Sequence, residues 1–151
     1  MLSIPIIDHP GGVEWFLPPS KSHMIRWLAL SSQCSTSTRL IFRGVPGRDI
    51  TSMADCVEEM GASIERETGQ WKIRGGRGVL TPPKTNLDCG NSATAAKILS
   101  FLAACFDSPV VIDGDSSLRR RDFTQLTKSL EDLGCKVSSD RLPLEITGPI
   151  T

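Results

Sequence analysis

The chain lacks net charge: its 17 Lys and Arg balance its 17 Asp and Glu. No global field therefore recruits a nucleic acid or an anionic membrane, and any preference for anions has to be local. Aromatic residues make up only 5% of the chain, and Trp15, Trp27 and Trp71 are scattered, which argues against a base-stacking platform. The five cysteines, Cys34, Cys56, Cys89, Cys105 and Cys135, are odd in number and include no Cys-x-x-Cys pair. They read as reduced, mostly buried small hydrophobes, not as disulfides or zinc ligands. No stretch approaches the roughly 18 consecutive apolar residues of a membrane span. Met1 to Asp8 also lacks the basic start and long apolar core of a signal peptide. The expectation is a cytoplasmic protein with no membrane contact and no nucleic-acid partner.

What is present is enough for one ordinary domain, because a chain of this length buries about 68–70% of its unfolded surface. The organising stretch is Pro18-Pro19-Ser20-Lys21-Ser22-His23-Met24-Ile25-Arg26-Trp27. Two prolines hold the backbone extended, and small hydroxyl residues then offer an N-cap to an apolar run, so a helix is expected from about Ser22 to Ser32. Lys21 and Arg26 stand at its positive end, where a cation is unfavourable unless an anion is bound. The same residues also suit a solvated turn whose lysine points into water.

Around this stretch, Leu2–Ile7 and Gly12–Leu17 read as short strands, and Arg39–Phe42 as another. Ile50, Met53, Val57 and Met60 form one face of a helix with Gly61 as C-cap, and Ser63–Glu67 pairs with Gln70–Arg74 around Thr68-Gly69. After the loop at Gly75–Gly78 and Pro82-Pro83 the pattern resumes. Asn91-Ser92 caps a helix carrying Thr94, Ile98, Phe101, Leu102 and Cys105, Pro109–Asp113 is a strand, and Phe123, Leu126, Leu130 and Leu133 form a second amphipathic face. That face lies 73 positions after the first, as 123 minus 50 shows. At the same shift Arg48-Asp49 meets Arg121-Asp122, Gly61 meets Gly134, and Ile73-Arg74-Gly75 meets Ile146-Thr147-Gly148. Agreement of glycines, charges and strand ends at one shift indicates a duplicated unit. The fold class is α/β, built from repeated βαβαββ subdomains in two copies. The division is 1–17 for N-terminal strands, 18–78 for the first repeat and 79–151 for the second.

Cations collect at equivalent places. Lys21 and Arg26 flank the first helix start, Asn91, Ser92, Thr94 and Lys97 flank its counterpart, and Gly114–Arg121 leads into the last helix. Such a set suits a small substrate bearing phosphate and carboxylate. Arg119 and Arg120 fit a solvated face, whereas Arg121 lies at the repeat-matched helix start. His23 has no assignable carboxylate or serine partner and fits a helix face; His9 fits a turn.

Pro-Ser-Lys21-Ser22-x-x-x-Arg26, Gly90-Asn91-x-x-Thr94 and Gly114-Asp115-x-Ser117-Leu118-x-x-Arg121, backed by Leu133-Gly134, resemble the 5-enolpyruvylshikimate-3-phosphate synthase family in order and over nearly the whole chain. The related UDP-N-acetylglucosamine enolpyruvyl transferases have Lys-Asn where this chain has Lys21-Ser22. The resemblance implies a transferase of the shikimate pathway, in aromatic amino acid biosynthesis. It would move the enolpyruvyl group of phosphoenolpyruvate onto the 5-hydroxyl of shikimate 3-phosphate, with no metal or organic cofactor. By matching positions, Lys21 is the catalytic residue and contacts phosphoenolpyruvate. Ser22 and Arg26 hold shikimate 3-phosphate, Asn91, Ala93 and Thr94 line the phosphoenolpyruvate pocket, and Arg121 binds its anionic groups.

The resemblance has departures. Ala93 stands where the family usually has glycine, and its methyl would narrow the pocket. Lys97 replaces a usual arginine, Asp122 replaces a usual proline and would partly neutralise Arg121, and Trp27 is bulkier than usual. The family's Ser-Ser-Gln motif and catalytic aspartate are not among these residues. The expectation is an N-terminal portion of a synthase, inactive alone, whose residues 1–17 belong to the other globule of a full enzyme and whose partner is a complementing C-terminal chain. The alternative is a stand-alone module that uses the anion site for ligand or partner binding.

Overall fold

The computed structural model describes residues 17–76 and 80–151. The strands expected at 2–7 and 12–17 lie outside this range except for Leu17, which is not in a strand. The first copy runs α1 (Lys21–Ser32), β1 (Ser37–Ile41), α2 (Arg48–Glu59), β2 (Ser63–Glu67) and β3 (Gln70–Arg74). The second runs β4 (Leu87–Asp88), α3 (Ala93–Ala103), β5 (Val110–Asp113), a 3-10 turn (Leu118–Arg120), α4 (Thr124–Asp132), β6 (Lys136–Val137) and β7 (Leu144–Thr147).

Each copy contributes one sheet. The first has the order β1-β3-β2 and is antiparallel; the second has the order β4-β5-β7-β6, with β4 parallel to β5 and the rest antiparallel. Helix α1 packs against both α2 and α3, so the two copies share one apolar core containing Ile25, Leu28, Met53, Ile73, Leu99, Ile112, Leu130 and Leu144. The hairpin forms in the expected register, with Ser63 opposite Arg74 and Gly69 supplying a φ of 77° at the turn. Cys56, Cys89 and Cys135 are buried, and all five cysteines are free. The neighbouring Cys56 thiol, together with burial, pushes the Cys89 thiol well above its ordinary value, which keeps it protonated and inert.

The duplication is visible in backbone detail. Gly61 and Gly134 end α2 and α4 at φ 96° and 88°, and the next N–H groups, of Ala62 and Cys135, each donate at 3.0 Å to Val57 and Leu130. Only a residue without a Cβ adopts this conformation cheaply. The 73-residue offset holds from α2 onward but not before it. Leu40 of β1 matches Ile112 of β5 in burial, 72 positions on (112 minus 40), and Met24, Ile25, Leu28 and Ala29 of α1 match Ala95, Ala96, Leu99 and Ser100, 71 on (95 minus 24). Two connections in the second copy are each one residue longer, and periodic patterns absorb that change without breaking.

The expected face of α3 is corrected. Its buried side is Ala95, Ala96, Leu99, Ser100 and Ala103, while Phe101 is 38% exposed and Cys105 is exposed. Small side chains let α3 settle closely against β5, β7 and α1, with Phe101 turned outward and Ile98 and Leu102 half-buried at the edge of the core. Phe101 occupies the position of Leu30 on α1, 71 residues earlier (101 minus 30), and both are exposed.

Candidate anion-binding site

The helix expected to open the site is present, and among the described residues no side chain caps its first turn. Ser20 is the N-cap of α1 through its carbonyl, which accepts the Met24 N–H at 3.0 Å, but its hydroxyl makes no capping bond and the first turn contains no acid. The other helices differ: α2 has Asp49 in its first turn, Ser92 Oγ accepts the Ala95 N–H at 3.2 Å in α3, and Asp122 Oδ1 accepts the Thr124 N–H at 2.8 Å in α4. The first turn of α1 therefore suits a bound anion, whose charge the partial positive charge of the helix end would favour.

Lys21 points across this end to α2, where its Nζ donates to Asp49 Oδ2 at 2.9 Å; the lysine side chain is 56% exposed and the aspartate 20%. Arg26 folds back so that Nη1 donates to the Ser22 carbonyl at 2.8 Å. Lys21, Ser22 and Arg26 are therefore together on one exposed surface, and His23 is exposed beside them.

The second cluster lies where α3 begins. Arg121 Nη2 donates to Asn91 Oδ1 at 2.5 Å, and Asn91 Nδ2 donates to Asp115 Oδ2 at 2.9 Å. Ser92 is buried as the N-cap, and Ala93 and Thr94 are half-buried in the first turn. The Asp115 carboxyl is held below the usual carboxylate range, first by the Leu118 N–H, then by Asn91, the Ser117 N–H and the charge of Arg121. It is ionised at neutral pH.

The two clusters meet through α2. A Cβ on Gly90, whose φ is 57°, would lie 2.9 Å from Ser52 Oγ, so the Gly90 loop rests on α2. Ser52 is one turn after Asp49, the partner of Lys21. Thus the start of α1 and the Gly90–Thr94 loop flank one short face of α2. A groove of about 590 Å³ between α1 and β1 includes Ser20 and His23 but none of Lys21, Asn91 or Arg121, and its lining is more apolar.

Two expectations need correction. Arg119 is not a merely solvated cation: Nε and Nη2 grip Asp113 Oδ1 and Oδ2 at 2.8 and 2.6 Å, and this pairing pulls the Asp113 carboxyl below its ordinary range. Asp122 does not pair with Arg121, because both the backbone N–H and the hydroxyl of Thr124 donate to its Oδ1. Sequence reasoning also missed Asp49 and Asp115 as site residues. The available signal was acid placement, since Asp49 opens α2 directly and Asp115 precedes the 3-10 turn as a capping residue would. Among the described residues no cluster of three or more His, Cys, Asp or Glu has metal-ligating geometry, and no helix is long and apolar enough to cross a membrane.

Comparison with known proteins gives one family. The profile of EPSP synthase (3-phosphoshikimate 1-carboxyvinyltransferase) matches residues 12–150. The 3-phosphoshikimate 1-carboxyvinyltransferase of Chelativorans sp. (strain BNC1) is 34% identical over 138 residues, covering 88% of this chain and 30% of its own length. That of Chlamydia felis is 32% identical over 139 residues, covering 89% and 31%. The solved EPSP synthase of Acinetobacter baumannii superposes with a TM-score of 0.81 at 26% identity, over 91% of this chain and 32% of that one. The enolpyruvyl transferase NikO from Streptomyces tendae shares the fold at a TM-score of 0.60 and 20% identity. The chain thus spans about a third of the length of the relatives it matches.

Proposed function

The chain belongs to the EPSP synthase (3-phosphoshikimate 1-carboxyvinyltransferase) family, and on that premise we propose that it supplies one wall of an enolpyruvyl-transfer site. The observation that carries this reading is the N-terminus of α1, uncapped by any described side chain, with Lys21, Ser22 and Arg26 on it, and the loop before α3, which rests on α2 at Ser52 through Gly90 and holds Arg121 through Asn91. Ser22 and Arg26 take the phosphate of shikimate 3-phosphate, where backbone N–H groups and a guanidinium supply charge-assisted bonds. Asn91, Ala93, Thr94 and Arg121 take phosphoenolpyruvate.

In this reading Lys21 is the proton-handling group. In the transfer, the methylene carbon of phosphoenolpyruvate gains a proton while the 5-hydroxyl oxygen bonds to the adjacent carbon and gives up its own. The tetrahedral adduct then expels phosphate and loses a methyl proton, leaving the enol ether. The Asp49 carboxylate keeps the Lys21 ammonium aimed across the helix end, so the charge is in place before the cationic carbon and the adduct form. These residues span about a third of the relatives' length and supply one wall of the site, so by themselves they bind substrate without turnover.

Calorimetric titration with shikimate 3-phosphate tests this. The chain should bind it, the Lys21→Ala/Arg26→Ala double variant should bind at least about tenfold more weakly, and addition of phosphoenolpyruvate should release no phosphate. Equal binding by the two proteins would remove the site, and phosphate release by these residues alone would show that one wall suffices for turnover.

A further inference from the structure

Asp115 is assigned no substrate contact, yet the second cluster is assembled around its carboxylate. Its Oδ1 accepts the backbone N–H groups of Ser117 at 3.0 Å and Leu118 at 2.8 Å, which pins the side chain to the start of the 3-10 turn. Its Oδ2 accepts Asn91 Nδ2, and Asn91 Oδ1 accepts Arg121 Nη2. The circuit closes because the Arg121 backbone N–H donates to the Leu118 carbonyl at 3.0 Å.

The amide of Asn91 has one donor end and one acceptor end, while a carboxylate only accepts and a guanidinium only donates. Turned over, Asn91 would set its oxygen against Asp115 and its NH₂ against Arg121, losing both bonds. The ionised carboxylate therefore dictates the amide orientation. The two loops also leave Asp115 little freedom to move. Its N–H donates to the Gly90 carbonyl at 2.8 Å, and a Cβ on Gly114 would come within 2.7 Å of that carbonyl and 2.6 Å of Leu118 Cδ2.

We propose that Asp115 is a positioning residue, one that locks the Asn91 amide so that its oxygen holds the Arg121 guanidinium ready for an anionic ligand at the start of α3. This rests on the reading of Asn91 and Arg121 as ligand contacts. It adds that their arrangement is set before any ligand arrives, by a group that touches none.

Asp115→Asn is the informative variant. Its Oδ1 still caps the Ser117 and Leu118 N–H groups, but its NH₂ faces Asn91, which then turns over and drives Arg121 away. The expected result is a folded protein with a lowered thermal midpoint, because the depressed carboxylate is lost, together with displaced side-chain ¹⁵N resonances of Asn91 and Arg121 and phosphoenolpyruvate affinity lowered about tenfold. In an Asn91→Ala background the same substitution should have no further effect on affinity, because the coupling runs through Asn91. Asn91→Ala alone leaves the capped turn intact and should itself displace the Arg121 resonance, so the proposal stays open to refutation even if Asp115→Asn fails to fold. Unmoved Asn91 and Arg121 resonances in folded Asp115→Asn protein, an unmoved Arg121 resonance in Asn91→Ala, or wild-type affinity in Asp115→Asn, would overturn the positioning role. Displaced resonances in a chain that never binds phosphoenolpyruvate would overturn the reading of the site and leave the positioning role standing.

Discussion

Asp113 and Arg119 show how single side chains set a condition on this fold. The Arg119 guanidinium holds the Asp113 carboxyl below its ordinary range at the end of β5, directly before the loop that carries Asp115 and Arg121. A carboxyl depressed in the folded state adds stability above its unfolded pKa of about 3.9, and this is lost as pH falls through the folded value. The stability difference between wild type and Asp113→Asn, measured by denaturant titration, should therefore be flat from about pH 5 to 8 and shrink below about pH 4. A difference that grew on acidification would contradict the pairing. The positions of Lys21, Ser22, Arg26, Asn91 and Arg121 at or near helix starts were legible in the sequence, because caps and apolar periodicity mark where helices begin. The acids that orient them were not, because the same residue types also serve ordinary caps and turns, and only the hydrogen-bond partners separate the two uses.

The elements divide in the same way. The hairpin of β2 and β3 was readable to the residue, since Thr68-Gly69 sits between two alternating runs and Gly69 takes the required positive φ. Helix α2 was readable because its apolar residues are large and periodic and Gly61 stops it. Helix α3 misled, because a pattern that weights residues by size selects Ile98, Phe101 and Leu102, whereas close packing selected Ala95, Ala96, Leu99 and Ala103. Leu99→Ala should cost about 2–5 kcal/mol in chemical denaturation, whereas Phe101→Ala should cost less than about 1 kcal/mol. The reverse ranking would restore the face that the sequence suggests.

Across the whole molecule, duplication underlies the proposed site. Two copies of one unit place two helix starts, those of α1 and α3, against the shared helix α2, and neither copy alone contains both Lys21 and Arg121. The repeat was legible from the matched glycines and Arg-Asp pairs, but its drift from 73 to 71 positions was visible only from burial. The apolar stripe of Trp27, Leu30 and Phe101 left exposed on α1 and α3 accords with a chain that spans about a third of its relatives' length. The central claim is that the anion site lies at these two helix starts, and backbone amide shift mapping with shikimate 3-phosphate tests it most directly. The predicted result is a saturable displacement of the amides of Lys21, Ser22 and His23, extending to Gly90–Thr94 and Arg121 when phosphoenolpyruvate is added. Displacements confined to the groove at Phe42 and Arg43, or none at saturating ligand, would contradict it.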